Sequence, residues 1–493
     1  MKLLLHIILF IVLNFYSVQA QLDFAPITKL LQDSISIIGQ SGQHCGFMIV
    51  SKDSVLYKQY FGTWNDTTYQ PIASGSKLPS MMLMMKLIDE GYIRQTDTVQ
   101  KYLPSFNSKP IITIHQLMNH TSGLPGQSPF ISTNALTLQQ AVDSIGIKTP
   151  MTKFAPGTAF QYGGVSMQVA GRIAEIATGK RWDSLFNEKI SQPLQLTNSD
   201  YIALGATENY RIAGGMGTTM PDFAKMLQLL LNKGVLNNQQ YIDSIIVMIQ
   251  TNNQTWNIPL ESTPYENDEL RSEFRYGYGV WIEKEENSKT TQYGSQGAFG
   301  FTPWIDECRG IACVLFVRRT LSAIQPTHTK LRELVEQIIP YNFSKPTIAQ
   351  TGNQLRSNYT SKNQWYRNDT ILNGEINQTI TPSQNGKYKV LYTSNNGCSL
   401  FSDAFNYAIT STQIELKNDV TIKPVYNTSS QSLSVENSEG VSMVIQLVDM
   451  LGNIVFEKEA STSIIVDVST LQENFLLVRI ITTEGVLIEK ILR

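Results

Sequence analysis

Ala73-Ser74-Gly75-Ser76-Lys77-Leu78-Pro79, with the Met-rich segment 81–90 behind it, is the stretch around which this chain is organised. Ser74 and Lys77 lie three apart, so one helical turn puts hydroxyl and amine on the same face near a helix N-terminus. That end carries unpaired backbone N–H groups and positive dipole, which suits a nucleophile whose carbonyl substrate develops negative charge. A lysine beside the serine can accept its proton when burial keeps the amine neutral. Leu78, Met81, Met82, Met85 and Ile88 recur at helical spacing, which predicts one buried face and leaves Lys86, Asp89 and Glu90 in water. Gly91 is the expected C-terminal cap. A Ser-x-x-Lys pair alone is weak, since about two are expected by chance in a chain of this length. Its weight comes from its neighbours.

Upstream, residues 46–62 alternate as two strands about a Lys52-Asp53-Ser54 turn, predicting a hairpin. Downstream, residues 113–120 read as a short helix ending in the sharp turn Thr121-Ser122-Gly123-Leu124-Pro125, with His120 bracing the turn in preference to acting as a base. The loop 154–164 is rich in Gly and Pro, so Tyr162 can project its hydroxyl into a cleft. A helix is expected from Val165 to Thr178, closed by Gly179. Ala213-Gly214-Gly215-Met216-Gly217 is a tight loop, and Thr219 with Asp222 forms a start resembling a capping box for the next helix. Strands are expected at 278–283, around 301–306 and at 311–317, and a last helix at 330–339.

The chain has 493 residues, a formal charge of −2, 42% hydrophobic and 16% charged residues. That is an ordinary globular balance with length for a large core. No dense Lys/Arg run appears, so nucleic-acid binding has no electrostatic support. Residues 1–20 read as a secretory signal: Lys2, an apolar run over 3–18, and Val18-Gln19-Ala20 as cleavage site. The mature protein is then expected to begin near Gln21 and to leave the cytoplasm. No later stretch is long and apolar enough to span a bilayer. Cys45, Cys308, Cys313 and Cys398 are too few and too scattered for a disulfide scaffold or a zinc site, and their pairing stays open. Only His44, His115, His120 and His328 follow the signal, which supplies a Ser-His-Asp triad poorly.

An ordered set of motifs resembles the serine β-lactamase-like superfamily, in the class C branch with D-alanyl-D-alanine carboxypeptidases and related esterases. The set is Ala-Ser-Gly-Ser-Lys at 73–77, Asn-His-Thr-Ser-Gly-Leu-Pro at 119–125, Pro-Gly-Thr-x-Phe-x-Tyr at 156–162, Ala-Gly-Gly-Met at 213–216 and Gly-Ala-Phe-Gly-x-x-Pro-Trp-Ile-Asp at 297–306. It covers roughly residues 25–340. The resemblance implies Ser74 as nucleophile, Lys77 as its proton partner, Tyr162 as general base, and an oxyanion hole from the backbone N–H groups of Ser74 and Ala298. It implies an α/β (α+β) catalytic domain, residues 21–342, with an antiparallel sheet, packed helices and a helical subdomain, and no metal or cofactor. Two positions depart from the family pattern. Gly164 stands where Tyr-x-Asn has its asparagine, and Ser295-Gln296-Gly297 replaces Lys-Thr-Gly or His-x-Gly. Gly164, Ser295, Gln296 and Gly297 are the substrate-binding positions the resemblance implies. Their changes point toward a small ester substrate over a β-lactam or a peptidoglycan peptide.

Residues 345–412 show short alternating strands between turns, an all-β sandwich pattern with Trp365 as a core residue. They resemble the immunoglobulin-like modules of secreted Bacteroidetes proteins. Residues 420–493 alternate again, with strands expected at 444–448, 454–456, 464–468, 476–481 and 486–491. Their order and the ending Glu489-Lys490-Ile491-Leu492-Arg493 resemble the C-terminal sorting domain of the type IX secretion system, which implies that machinery as a partner and a cell-surface or secreted location. The reading is a secreted serine hydrolase acting through an acyl-Ser74 intermediate on a small acyl compound. Its rivals are a β-lactamase or D-alanyl-D-alanine carboxypeptidase acting on peptidoglycan fragments, and a non-catalytic surface-binding module.

Overall fold

The structure is a computed structural model that describes residues 22–39, 42–265, 268, 271–408, 422–427, 431–437, 440–449, 452–469, 471, 475–482 and 485–492. The expected signal segment 1–20 lies outside the described residues. The described residues fall into two compact units: those up to 344 together with 394–398, and those of 345–393 together with the ones after 398.

The first unit is built on a seven-stranded sheet. Its strands are β1 (Cys45–Val50), β2 (Val55–Phe61), β3 (Arg275–Tyr276), β4 (Trp281–Glu286), β5 (Lys289–Gly294), β6 (Thr302–Asp306) and β7 (Ile311–Phe316). They run in the order β2-β1-β7-β6-β5-β4-β3, every neighbour antiparallel. Side chains alternate faces along a strand, and here both faces are covered. Phe47 and Ile49 of β1 pack with Ile27 and Leu31 of α1 (Ala25–Ile38). Leu331 and Val335 of the C-terminal helix of this unit (Leu321–Ile338) complete that face. Met48 and Val50 join the opposite core with α2 (Lys77–Asp89), α3 (Val165–Thr178) and α4 (Met220–Leu231). Double burial explains why β7 reads as an unbroken apolar run and why β1, expected to alternate, has all six residues buried. We label the C-terminal helix α5.

The predicted hairpin and α3 appear as expected, and Gly179 closes α3 at φ +71° with its N–H on Glu175 O. α2 is buried more completely than its periodicity predicts. Every residue from Lys77 to Leu87 is inside, and Lys86 is only 8% exposed. The expectation of a wet Lys86 is therefore corrected: its amine donates to Tyr241 O (2.5 Å) and pairs with Asp89 and Glu90 at 3.1 and 3.5 Å. Gly91 does end the helix, at φ +77°, where Gly91 N–H donates to Ile88 O and Tyr92 N–H to Leu87 O, the paired bonds of a Schellman motif.

Three further differences have physical causes. α5 begins at Leu321, nine residues before the expected start, because Pro326 is accommodated inside it. β5 was not anticipated, since Thr290, Thr291 and Gln292 are polar yet buried. At the start of α4, Thr219 Oγ1 accepts from Asp222 N–H at 3.3 Å, but the Asp222 carboxylate turns away to accept the backbone N–H of Thr197 and Asn198 at 2.9 and 2.7 Å. Within this unit Cys308 is disulfide-bonded to Cys398, while Cys45 and Cys313 are buried free thiols.

The second unit consists of antiparallel sheets. One core gathers Leu355, Trp365, Ile380, Tyr388 and Val390. Trp365 is fully buried, as expected, and its indole N–H donates to Asn377 O at 2.9 Å. A separate core contains Leu433, Val435, Ile445, Leu447 and Val478. Strands Met443–Val448, Ile454–Ala460, Ile464–Asp467, Phe475–Thr482 and Gly485–Leu492 fall on the expected segments.

Candidate active site

Ser74 lies in a 3₁₀ turn, Ala73–Ser76, that runs directly into α2. Side chains i and i+3 eclipse in 3₁₀ geometry, which sets Lys77 over Ser74. Lys77 Nζ donates to Ser74 Oγ at 3.1 Å and to Ala213 O at 3.0 Å. Ala73 enters the turn at φ +47°. A left-handed residue with a side chain costs about 1–2 kcal/mol, and the surrounding packing holds that strain immediately before Ser74. The Ser76 hydroxyl donates to Ala73 O (2.6 Å) and accepts from Met216 N–H (3.0 Å), tying the turn to the Ala213–Met216 loop.

Lys77 is 3% exposed. Burial without a carboxylate partner among the described residues penalises the ammonium form and pulls its pKa down to about 7. Tyr162 responds in the opposite sense. Burial pushes its phenol up to about 12, opposed by hydrogen bonds with Ser74 and from the Trp281 indole. Lys77 Nζ also stands 4.5 Å from the centre of the Tyr162 ring. At neutral pH the lysine is therefore able to accept a proton, while the tyrosine holds one.

Tyr162 is positioned by close backbone contact. A Cβ on Gly163 would lie 2.1 Å from Gly126 O, and Gly164 N–H donates to that same oxygen at 2.7 Å. His120 packs at a tilt beside the tyrosine, its ring 5.1 Å from Tyr162 and 5.0 Å from Tyr276. At φ +61° it occupies the turn after helix Ile114–Met118, and neither ring nitrogen has a hydrogen-bond partner. Burial and the nearby Lys77 hold its pKa well below the usual histidine range. It is a neutral packing ring in the turn.

The segment 295–298 closes the other side. A Cβ on Gly297 would sit 2.0 Å from Ile72 O and 3.3 Å from Gly75 N, so this backbone lies directly against the Ser74 turn. Ser295 Oγ approaches Ser74 O at 3.5 Å. Among the described residues no protein acceptor takes the backbone N–H of Ser74 or Ala298. An oxyanion hole needs such unpaired backbone donors beside the nucleophile. The Gln296 carboxamide is turned inward, donating to Glu283 (2.5 Å) and accepting from Tyr265 (2.6 Å).

A cavity of about 280 Å³ opens over Ser74, Lys77 and Tyr162, with Gly164, Ile131 and Arg211 in its wall. Ser295, Gln296 and Gly297 do not line it. At Gly164 a Cβ would meet Ile131 Cδ1 at 2.8 Å, so an apolar side chain fills the space where the family asparagine is expected. Sequence reasoning missed Ile131, Trp281 and Arg211, none of which carries a motif. It found the Ala213 loop but not the carbonyl that holds Lys77.

A serine in a tight turn, a buried lysine bonded to it and a seven-stranded antiparallel sheet are the arrangement of a serine hydrolase. The chain belongs to the Beta-lactamase family, whose model matches residues 39–336. It is 25% identical over 181 residues to the D-alanyl-D-alanine-carboxypeptidase/endopeptidase AmpH of Escherichia coli K12, covering 33% of this chain and 46% of that protein. It is also 25% identical over 188 residues to the esterase EstB of Burkholderia gladioli, covering 32% and 47%. The matched stretch thus spans less than half the length of these curated relatives. Among solved structures, a candidate beta-lactamase from Bacteroides dorei DSM 17855 superposes with a TM-score of 0.58 and 25% identity, over 64% of this chain and 99% of that one.

Proposed function

We propose that the protein hydrolyses small esters through an acyl-Ser74 intermediate. Neutral Lys77 takes the Ser74 proton as Oγ attacks the carbonyl carbon. The oxyanion accepts from the Ser74 and Ala298 backbone N–H groups, and the tetrahedral adduct expels an alkoxide that leaves with a proton from the Lys77–Tyr162 pair. Water, deprotonated by the same pair, then cleaves the acyl-enzyme to release the acid and restore Ser74. The observation that carries this reading is the Lys77 amine, buried, unpaired by any carboxylate among the described residues and hydrogen-bonded to Ser74 Oγ.

Preference for an ester follows from what the site lacks. A β-lactam or peptide needs its amide and carboxylate gripped and a proton delivered to an amine leaving group. Ile131 fills the asparagine space, and Ser295 offers a neutral hydroxyl where a cation is expected. One charge-assisted hydrogen bond is worth about 1.5–3 kcal/mol, so its loss lowers efficiency roughly ten- to a hundredfold. The second reading, carboxypeptidase or β-lactamase action, is favoured by the similarity to AmpH. Steady-state kinetics on a short p-nitrophenyl ester, a D-alanyl-D-alanine peptide and a cephalosporin separate the two. Cephalosporin or peptide efficiency equal to the ester's would reverse the preference.

The same proposal assigns residues 1–20 to export, 345–412 to an immunoglobulin-like module and 420–493 to type IX sorting. Deleting 420–493 should leave the purified enzyme active but stop its release by the host, and normal surface display of the truncated protein would refute the assignment. Among the described residues no helix is long and apolar enough to cross a membrane.

A further inference from the structure

We infer that Arg211 makes the cavity selective for substrates carrying a carboxylate; the inference rests on Ser74 being the nucleophile. Arg211 lines the same cavity as Ser74 and Tyr162, and among the described residues no Asp or Glu lines it. A guanidinium keeps its charge at any working pH, whereas Lys77 is neutral for much of the time. Arg211 is the guanidinium that the described residues place in the wall of this cavity.

The side chain is held in place without being neutralised. One terminal nitrogen, Nη2, donates to Ser132 O at 2.6 Å and to Asn134 Oδ1 at 3.2 Å, both uncharged acceptors. The other terminal nitrogen and Nε have no protein acceptor among the described residues. A planar guanidinium with one nitrogen anchored still offers a pair of donors to a carboxylate.

The backbone fixes Arg211 relative to the chemistry. Its carbonyl accepts from Gly214 N–H (3.0 Å) and Gly215 N–H (2.7 Å), closing a tight turn. A Cβ on Gly215 would come within 3.0 Å of Arg211 Cβ. The Ala213 carbonyl of that turn is the one that holds Lys77. The cation is thus two residues from the carbonyl that holds the general base. This cation lies on the Ile131–Ser132 side of the cavity, apart from the Ser295 position.

The carboxylate can belong to the acyl group or to the leaving alcohol, and two matched pairs of esters distinguish these. Mono-p-nitrophenyl adipate against p-nitrophenyl hexanoate tests the acyl side. 4-Butyryloxybenzoate against its methyl ester tests the leaving side. In at least one pair the wild-type kcat/KM should favour the anionic ester about tenfold or more. Arg211→Gln should bring that ratio to about one, and Arg211→Lys should retain part of it. A purely structural Arg211 would lower both members of a pair together and leave the ratio unchanged. Equal wild-type turnover of charged and neutral esters, or a preference that survives Arg211→Gln, would overturn this inference alone. Absence of turnover with every ester would overturn the acyl-Ser74 reading and this one with it.

Discussion

Lys77 Nζ stands 3.1 Å from Ser74 Oγ, and burial brings that amine to a pKa of about 7. The amine must be neutral to accept the hydroxyl proton. Below pH 7 it is increasingly protonated, so kcat/KM should fall about tenfold per pH unit there and level off above pH 8. Tyr162, held near 12, stays protonated across this range. If its phenolate were the first acceptor, the rate would keep climbing toward pH 12. A pH–rate profile on a stable ester separates the two.

Ser74→Ala should abolish acyl transfer and leave the thermal midpoint nearly unchanged, because this hydroxyl is only partly buried. Lys77→Ala and Tyr162→Phe should each cost about 10²–10⁴ in rate. Wild-type turnover by Ser74→Ala would mean the site is misassigned.

Gly297→Ala should damage both rate and stability. The new methyl would lie 2.0 Å from the Ile72 carbonyl oxygen, so the 295–298 backbone must withdraw from the Ser74 turn and carry Ala298 N–H with it. Loss of one oxyanion donor costs about 10²–10³ in kcat. KM should change less than kcat if the donor acts chiefly on the transition state, and an unaltered kcat would remove Ala298 from the oxyanion hole.

Thiol titration checks the covalent pattern. Cys45 and Cys313 are buried, and burial pushes the Cys45 thiol up to about 12. The native protein should therefore react with a disulfide reagent negligibly, the denatured protein through these two thiols, and only the denatured and reduced protein through all four cysteines. Rapid reaction of the native protein would contradict the burial.

The parts of this fold legible in the sequence were those with a local cause. Gly179 and Gly91 ended their helices because a left-handed residue is needed there, and the β-strands near the C-terminus alternated visibly. β5 was hidden because Gln292 is buried through hydrogen bonds with Asp306 and Arg332, partners 14 and 40 residues away. Lys86 was misjudged for the same reason, its acceptor being the distant carbonyl of Tyr241. That Ser74, Lys77 and Tyr162 meet at one cavity was expected from the Ser-x-x-Lys spacing and the family resemblance. Arg211 was not, since its place beside Ser74 is set by the turn at Ala213, which only tertiary contact brings to Lys77.

The central claim is a covalent acyl group on Ser74. The direct measurement is intact-protein mass spectrometry of enzyme quenched in acid during turnover of a short p-nitrophenyl ester, followed by peptide mapping. The account predicts a mass increase of one acyl group, located on Ser74 and missing from Ser74→Ala. An acyl group on another residue, or continued turnover by Ser74→Ala, would contradict it.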